Sequence, residues 1–357
     1  MTIRWVSAAC LIAAGLAAGS GLAEGAQPVD AEAQEREIVS LANVVGAALR
    51  GEIVPAEEPF GWSNDFLKSS EQTTFVPFTL SIDESKLTTP AVAMYLFVAP
   101  QGARAGLAAA AFEDGYHVLL GTPTEDGAPS SEAASSSTGP AEAGPRFYRI
   151  RRGFWVPAGD YDIYVALSES EVEPGATPAT MMLRRALSVP DLWTGGVATS
   201  SVILAESIES LNTPPPPDQL PANPYTLGTM RIVPKSIPEY VTSDELSMLF
   251  LVYNAGVTAA GMPDVAVEYA FNVMGESGEE FFNRTSPQMF NERTLPQGFD
   301  LNAGHQLVAG QAVPLSSFPP AEYRLEITVT DNTSGESLTH SVGFSVAEPA
   351  ESLNGAG

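Results

Sequence analysis

A single cysteine, Cys10, serves the whole chain, so beyond it disulfides, thiolate metal sites and a cysteine nucleophile are all excluded and stability must come from burial. Basic residues are scarce: 17 Lys and Arg stand against 43 Asp and Glu, a formal charge of −26. A field of that sign repels phosphate backbones and anionic lipid, which argues against nucleic acid and against polybasic membrane association. Only three histidines occur, His117, His305 and His340, with no metal-ligand spacing between them, and they read as sheet-surface residues. Nucleotide-binding glycine loops are missing, as is Gly-x-Ser-x-Gly; Gly275-Glu-Ser277-Gly278 lacks the second spacing and reads as a hairpin loop. Carboxylate pairs such as Asp160 with Asp162 or Glu279 with Glu280 arise by chance in so acidic a chain. The sequence therefore offers no catalytic, cofactor-binding or metal-ligating residue, and the expectation is a protein that is not an enzyme.

Apolar runs are short. The longest, from Trp5 to Ala18, follows Arg4 and precedes Gly21-Leu22-Ala23, falling short of the ~18 to 20 residues a membrane span needs. Residues 1–23 are expected to be a cleaved signal peptide, placing the mature chain in the periplasm or outside the cell without a transmembrane segment. Its removal takes Arg4 and no acid, giving −27. Residues 31–51 then show apolar positions at Ile38, Leu41, Val45, Ala48 and Leu49, close to helical spacing, with Gly51 as a stop. One amphipathic helix is expected, its apolar face packing on the domain that follows or on a partner, of which packing in cis is the commoner outcome.

What the chain does have is a pattern written twice. Val156-Pro-Ala-Gly-Asp-Tyr161-Asp-Ile-Tyr-Val-Ala-Leu167 and Phe318-Pro-Pro-Ala-Glu-Tyr323-Arg-Leu-Glu-Ile-Thr-Val329 start 162 residues apart. Each is a Pro-bearing corner, a tyrosine at the mouth of a strand, then strict alternation. Tyr161 and Tyr323 sit where tyrosine corners would tie the corner to the strand it opens. Around them, short β-type runs at 74–82, 91–99, 117–120, 147–151, 161–167 and 181–189 form a first set. A second set covers 229–233, 247–254, 265–273, 281–282, 305–308, 323–330 and 338–346, the last two joined by hairpin chemistry at Asp331-Asn-Thr-Ser-Gly335-Glu336.

The fold class expected is mainly β: two tandem immunoglobulin-like antiparallel β-sandwiches with one short N-terminal helix. The first sandwich spans 60–192, with a mobile insertion at 121–144 built from Ser, Ala, Gly, Pro and Glu. Residues 212–224, with four consecutive prolines from Pro214 to Pro217, are expected as a semi-rigid spacer. The second sandwich then spans 225–347 and a disordered tail 348–357.

Aromatics concentrate at Phe60, Trp62, Phe66, Phe75 and Phe78, where alternation favours core packing over a binding platform. Trp62, Trp155 and Trp193 nonetheless remain the possible ligand or partner contacts.

Several segments look familiar: Thr74-Phe-Val-Pro-Phe-Thr-Leu-Ser-Ile-Asp83, Val189-Pro-Asp-Leu-Trp193 with Ser201-Val-Ile-Leu-Ala205, Gly228-Thr-Met-Arg-Ile-Val-Pro234, and Tyr323-Arg-Leu-Glu-Ile-Thr-Val-Thr-Asp331. Over roughly residues 60–346 they resemble the β-rich region of secreted soil-bacterial proteins known as von Willebrand factor A-related or GWxTD-domain proteins. The chain departs from the former in lacking room for a von Willebrand type A domain and its Asp-x-Ser-x-Ser motif, so the resemblance implies no metal-dependent adhesion and no catalytic residues. The function expected is a non-catalytic secreted or periplasmic interaction or scaffolding protein, with an unknown protein or polysaccharide partner. The alternative is a carbohydrate-binding or polysaccharide-processing accessory protein carried by the three tryptophans. A cryptic enzyme assembled across the interdomain cleft ranks third and last.

Overall fold

The computed structural model describes residues 31–55, 58–102, 110–125, 145–170, 178–275 and 278–349. The expected signal peptide lies outside them, as do most of the 121–144 insertion and of the tail. The fold is mainly β.

A helix α1 (Ala31–Leu49) comes first and ends on Gly51, whose φ of 75° is left-handed. Gly51 N–H reaches Ala48 O at 2.9 Å and Glu52 N–H reaches Ala47 O at 2.9 Å, the paired bonds that satisfy the last carbonyls of a helix.

Nine strands build the first sandwich: β1 (Gly61–Asn64), β2 (Leu67–Lys68), β3 (Thr73–Asp83), β4 (Ala91–Pro100), β5 (Phe112–Leu119), β6 (Thr124–Glu125), β7 (Arg146–Pro157), β8 (Gly159–Glu169) and β9 (Thr180–Val189). One sheet runs β1-β3-β7-β6 with β2 also on β3; the other runs β5-β4-β8-β9. Alternate side chains from both fill the space between, including Val76, Phe78 and Leu80 from β3, Met94 and Leu96 from β4, Phe154 from β7, and Ile163, Val165 and Leu167 from β8.

β4 is apolar on both faces, as a strand must be when both sides are covered. Its second face, Ala93 and Tyr95, joins Tyr164 and Ala166 of β8 and Met182 of β9 beneath Leu41 and Val45 of α1. The helix therefore packs in cis. A side chain at Gly115 of β5 would meet Ile38 Cγ2 at 2.5 Å, so glycine there allows the close approach. The Glu37 carboxylate ties the helix down further, accepting from Ser170 Oγ at 2.6 Å and facing His117 Nε2 at 3.0 Å.

The second sandwich contains β10 (Ala198–Thr199), β11 (Ile203–Ser210), β12 (Thr226–Leu227), β13 (Met230–Pro234), β14 (Glu239–Val241), β15 (Glu245–Tyr253), β16 (Val265–Gly275), β17 (Gly278–Arg284), β18 (Gln288–Phe290), β19 (Leu307–Pro314), β20 (Ala321–Asp331) and β21 (Glu336–Ala347). One sheet runs β10-β15-β11-β13-β12 with β19 on β15, the other β14-β21-β20-β16-β17 with β18 on β16. The pairing is antiparallel except that β14 lies parallel to β21. Tyr269, Phe250, Phe271, Leu325, Ile327 and Val329 sit at the centre of its core.

The Pro-rich stretch is not a spacer between the sandwiches. β11, which precedes it, pairs with both β13 and β15, so residues 212–224 are an excursion within the second sandwich. Pro216 is extended, with φ −63° and ψ 153°, and the chain then coils into a 3₁₀ turn over Pro217–Ala222 that lies against β7. The connection between sandwiches is residues 190–197, shortened by a turn in which the Asp191 carboxylate accepts Trp193 N–H at 2.8 Å and Thr194 N–H at 3.1 Å.

Both repeated corners are closed by their tyrosines. Tyr161 Oη donates to Pro157 O at 2.9 Å and Tyr323 Oη to Pro319 O at 2.7 Å, each four residues back. Replacing either by phenylalanine keeps the buried ring and removes one hydrogen bond, so each variant is expected to lose about 1 kcal/mol in thermal or urea unfolding. An unchanged midpoint in both would remove the corners from the stability account.

Candidate functional site

The densest chemistry in the molecule lies where the two sandwiches meet. Pro77, inside β3, cannot return the hydrogen bond that Asp65 N–H gives its carbonyl at 2.9 Å, and the edge strand is split into β1 and β2 at this point. The next residue, Phe66, gives its N–H to Ser201 Oγ at 2.9 Å and accepts Ser201 N–H at 3.0 Å. Lys68 follows, its N–H on Tyr253 Oη at 3.2 Å and its ammonium on Asn254 Oδ1 at 2.7 Å. Asn254, held in the left-handed region at φ 57°, donates in turn to Leu192 O at 3.2 Å.

Beneath these bonds is an apolar layer of Leu67 and Phe75 from the first sandwich, Leu192 from the connection, and Leu251 and Tyr253 from the second. Burying five such side chains contributes roughly 10 kcal/mol before the cost of ordering them, at ~2 kcal/mol each. Gly153 of β7 belongs to the same layer. A Cβ there would stand 2.3 Å from Phe75 Cζ and 3.2 Å from Pro224 Cβ, so only glycine lets the Phe75 ring and the proline strap close over β7.

A polar cluster flanks the layer. Tyr225 Oη, from the second sandwich, donates to Asp65 Oδ2 at 3.0 Å. Burial pushes the Asp65 carboxyl up to about 6, against the opposing effect of hydrogen bonds from Tyr225 and Ser201. The residue as a whole is only partly covered; it is the carboxyl end that loses its water. Tyr225 is pushed up as well, by burial first and then by the Asp65 charge. Arg151 of β7 is lowered, chiefly by burial, while Tyr225 and Glu206 act to raise it and Arg149 to lower it. Three buried polar atoms without a hydrogen-bond partner, Thr79 Oγ1, Arg151 Nε and Thr226 Oγ1, lie on these strands. Thr79 stands opposite Arg151 in the β3–β7 register and Thr226 opposite Arg231 in the β12–β13 register.

The three tryptophans are half-buried and engaged inside the protein. Trp62 stacks on Phe78 with centroids 4.5 Å apart and gives its indole N–H to Asn64 Oδ1 at 3.0 Å. Trp155 packs against Phe75 with centroids 4.9 Å apart, on the seam. Trp193 donates to Thr73 O at 3.0 Å and carries Lys68 Nζ 4.3 Å above its ring. They make no common platform: Trp62 faces the first core, whereas Trp155 and Trp193 serve the junction.

The histidines are likewise apart. His117 faces Glu37, His305 Nδ1 accepts Asp300 N–H at 3.0 Å, and His340, lowered by burial, stands 2.5 Å from Thr199 Oγ1. Asp331 closes the last hairpin. Burial alone would raise its carboxyl, but N–H groups of Gly256 and Thr333 and the Ser334 hydroxyl outweigh this and hold it low. Among the described residues no group of three or more His, Cys, Asp or Glu is placed to hold a metal, and no helix is long and apolar enough to cross a membrane.

A groove of about 590 Å³ crosses the outer face of the β14-β21-β20-β16-β17 sheet, lined by Glu268, Tyr269, Phe281, Arg284 and Glu326 among others. Phe281 is 63% exposed at its rim. A smaller cleft of about 210 Å³ opens between Arg149 and Arg151 of β7 and the segment from Ala222 through β13.

Sequence reasoning missed Asp65, Ser201, Tyr225 and the β7 arginines, and gave Phe66 a place in core packing alone. One signal was available: Arg146-Phe-Tyr-Arg149-Ile-Arg151-Arg152 places four of the 17 basic residues on a single strand of a strongly acidic chain.

No family model and no curated protein matches this chain. Among solved structures it is similar to a transglutaminase of red sea bream at 6% identity and TM-score 0.22, covering 90% of this chain and 34% of that one. A Salmonella α-2-macroglobulin mutant gives 11% identity and TM-score 0.18, with 82% and 17% covered. The adhesin InvE of Yersinia pseudotuberculosis gives 12% identity and TM-score 0.20, with 80% and 60% covered. The chain thus spans less than two thirds of each of these proteins.

Proposed function

We propose that this chain is a non-catalytic scaffold or interaction module working outside the cytoplasm, which presents two sandwiches as a single stiff unit. The observation that supports this reading most is the seam. Two domains joined by a free spacer move independently by default, whereas a buried apolar layer with paired backbone and side-chain hydrogen bonds fixes their relation. The acidic surface keeps such a unit soluble, and α1 covers a sheet face that would otherwise be exposed.

The polysaccharide-accessory reading no longer rests on the tryptophans: the Trp62 and Trp193 indole N–H groups are bonded inside the protein and the Trp155 ring packs on Phe75. It moves to Phe281 and the adjoining groove, where an exposed ring stands beside Glu268, Glu326 and Arg284, a mixture suited to sugar hydroxyls.

The test uses residues 24–357 immobilised in two arms. A panel of general hydrolase substrates is expected to show no turnover, and partner capture from an envelope fraction is expected to survive Phe281→Ala. Turnover would overturn the non-catalytic reading. Retention on a polysaccharide, lost in Phe281→Ala, would put the accessory reading ahead.

A further inference from the structure

We propose that the cleft between β7 and the β12–β13 hairpin is an oxyanion-binding site that bridges the two sandwiches and takes a small carboxylate-, sulfate- or phosphate-bearing ligand. The lining contains three arginines, Arg149 and Arg151 from the first sandwich and Arg231 from the second, and no carboxylate. In a chain with 17 basic and 43 acidic residues, that composition is opposite to the rest of the surface. The sheet-face groove, by comparison, sets Glu268 and Glu326 against Arg284, and a third cleft sets Asp264 and Glu292 against Arg293.

Donors are available in the lining. Arg151 Nε and Thr226 Oγ1 are buried without a hydrogen-bond partner, and an unsatisfied buried donor costs free energy that an acceptor would recover. Both residues line the cleft, and a guanidinium with a hydroxyl suits the planar or tetrahedral oxygens of such groups once a small shift uncovers the two buried donors. Neighbouring acids limit the charge without removing it: Glu209 lies 3.5 Å from Arg231, Glu206 acts on Arg151 from β11, and Asp65 is engaged by Tyr225. Arg149 is anchored by Ser81 Oγ and lies over the Phe147 ring, so it provides field and wall more than a free donor. The volume of about 210 Å³ accommodates the charged group of a ligand and a few further atoms. Because its walls come from both sandwiches, an oxyanion held there would bind the seam more tightly than either half.

The inference is independent of the scaffold reading: the site fails or stands without altering whether the module is catalytic. The test is calorimetric titration of the full chain with phosphate, sulfate and acetate in separate arms. Chloride is held at matched ionic strength, because a chain of this charge is stabilised by any salt and sulfate also acts by surface exclusion. Saturable binding of at least one oxyanion is expected, weakened about tenfold or more in Arg151→Met and again in Thr226→Val, which keeps the shape of threonine. The arm that binds best identifies the ligand group. Should a variant fail to fold, its melting in chloride reveals this and the other variant decides. Equal heats with chloride in wild type, or binding unchanged in both folded variants, overturns the site.

Discussion

Gly153→Val is expected to separate the unfolding of the two sandwiches. The new side chain must enter space held by the Phe75 ring, 2.3 Å from where its Cβ would stand, with Pro224 of the opposite sandwich 3.2 Å away. Neither neighbour has an easy retreat. Phe75 is buried between Leu67 and Trp155, and Pro224 follows directly on the 3₁₀ strap. Forcing atoms into such a layer costs about 3 kcal/mol, and here the cost falls on the contact that couples the domains. Scanning calorimetry should show one cooperative transition in wild type and two in the variant, the first at lower temperature. A variant that melts in one transition at the wild-type midpoint would show that the glycine is not what allows the sandwiches to close.

The second large effect is a pH dependence of unusual sign. Most partnered carboxylates are held low when folded and lose stability as pH falls; Asp331 and Asp191 are of this kind. Asp65 is the opposite case. Its folded value of about 6 lies above the ordinary 3.8, so the folded protein holds a proton that the unfolded chain has released between those limits. The ionised carboxylate is a cost to the seam at neutral pH, and that cost is relieved as pH falls through 6 towards 4. Two pH units at 1.36 kcal/mol each bound the effect at about 3 kcal/mol. Asp65→Asn removes the charge and keeps an acceptor for Tyr225, so it should be more stable than wild type at pH 7.5 and lose that advantage by pH 4. Urea unfolding of both proteins across this range measures the difference directly, which cancels the contribution of the other acids. Parallel curves would mean that Asp65 retains its water in the folded state.

What the sequence made legible follows from how local each signal is. The alternation in β8 and β20, the Pro-bearing corners and their tyrosines are each contained within twelve residues, and the structure places Tyr161 and Tyr323 at closed corners. The helix was legible for the same reason, its apolar spacing and Gly51 stop both being local.

The seam was not, because its chemistry is distributed over residues far apart: Asp65 with Tyr225, Phe66 with Ser201, Lys68 with Asn254. β11 also hid the domain boundary. Its sequence, Ile-Leu-Ala-Glu-Ser-Ile-Glu-Ser, alternates only in its first half, and the four prolines that follow outweigh it as a boundary signal. A proline run suggests a spacer, whereas here it turns through a 3₁₀ coil and straps one sandwich to the other. The tryptophans misled in the same way. A large aromatic at a junction is as useful for packing as for binding, and only the partners of Trp155 and Trp193 distinguish the two.

The central claim, that the sandwiches form one stiff body, is tested most directly by a distance distribution across the seam. With no cysteine after Cys10, two can be introduced cleanly in residues 24–357, at exposed Ala186→Cys on β9 and exposed Ser337→Cys on β21, and spin-labelled for double electron–electron resonance. A single narrow distance peak in wild type, broadening in Gly153→Val, is the predicted result; a broad distribution in the wild-type protein would show two domains on a tether and contradict the account.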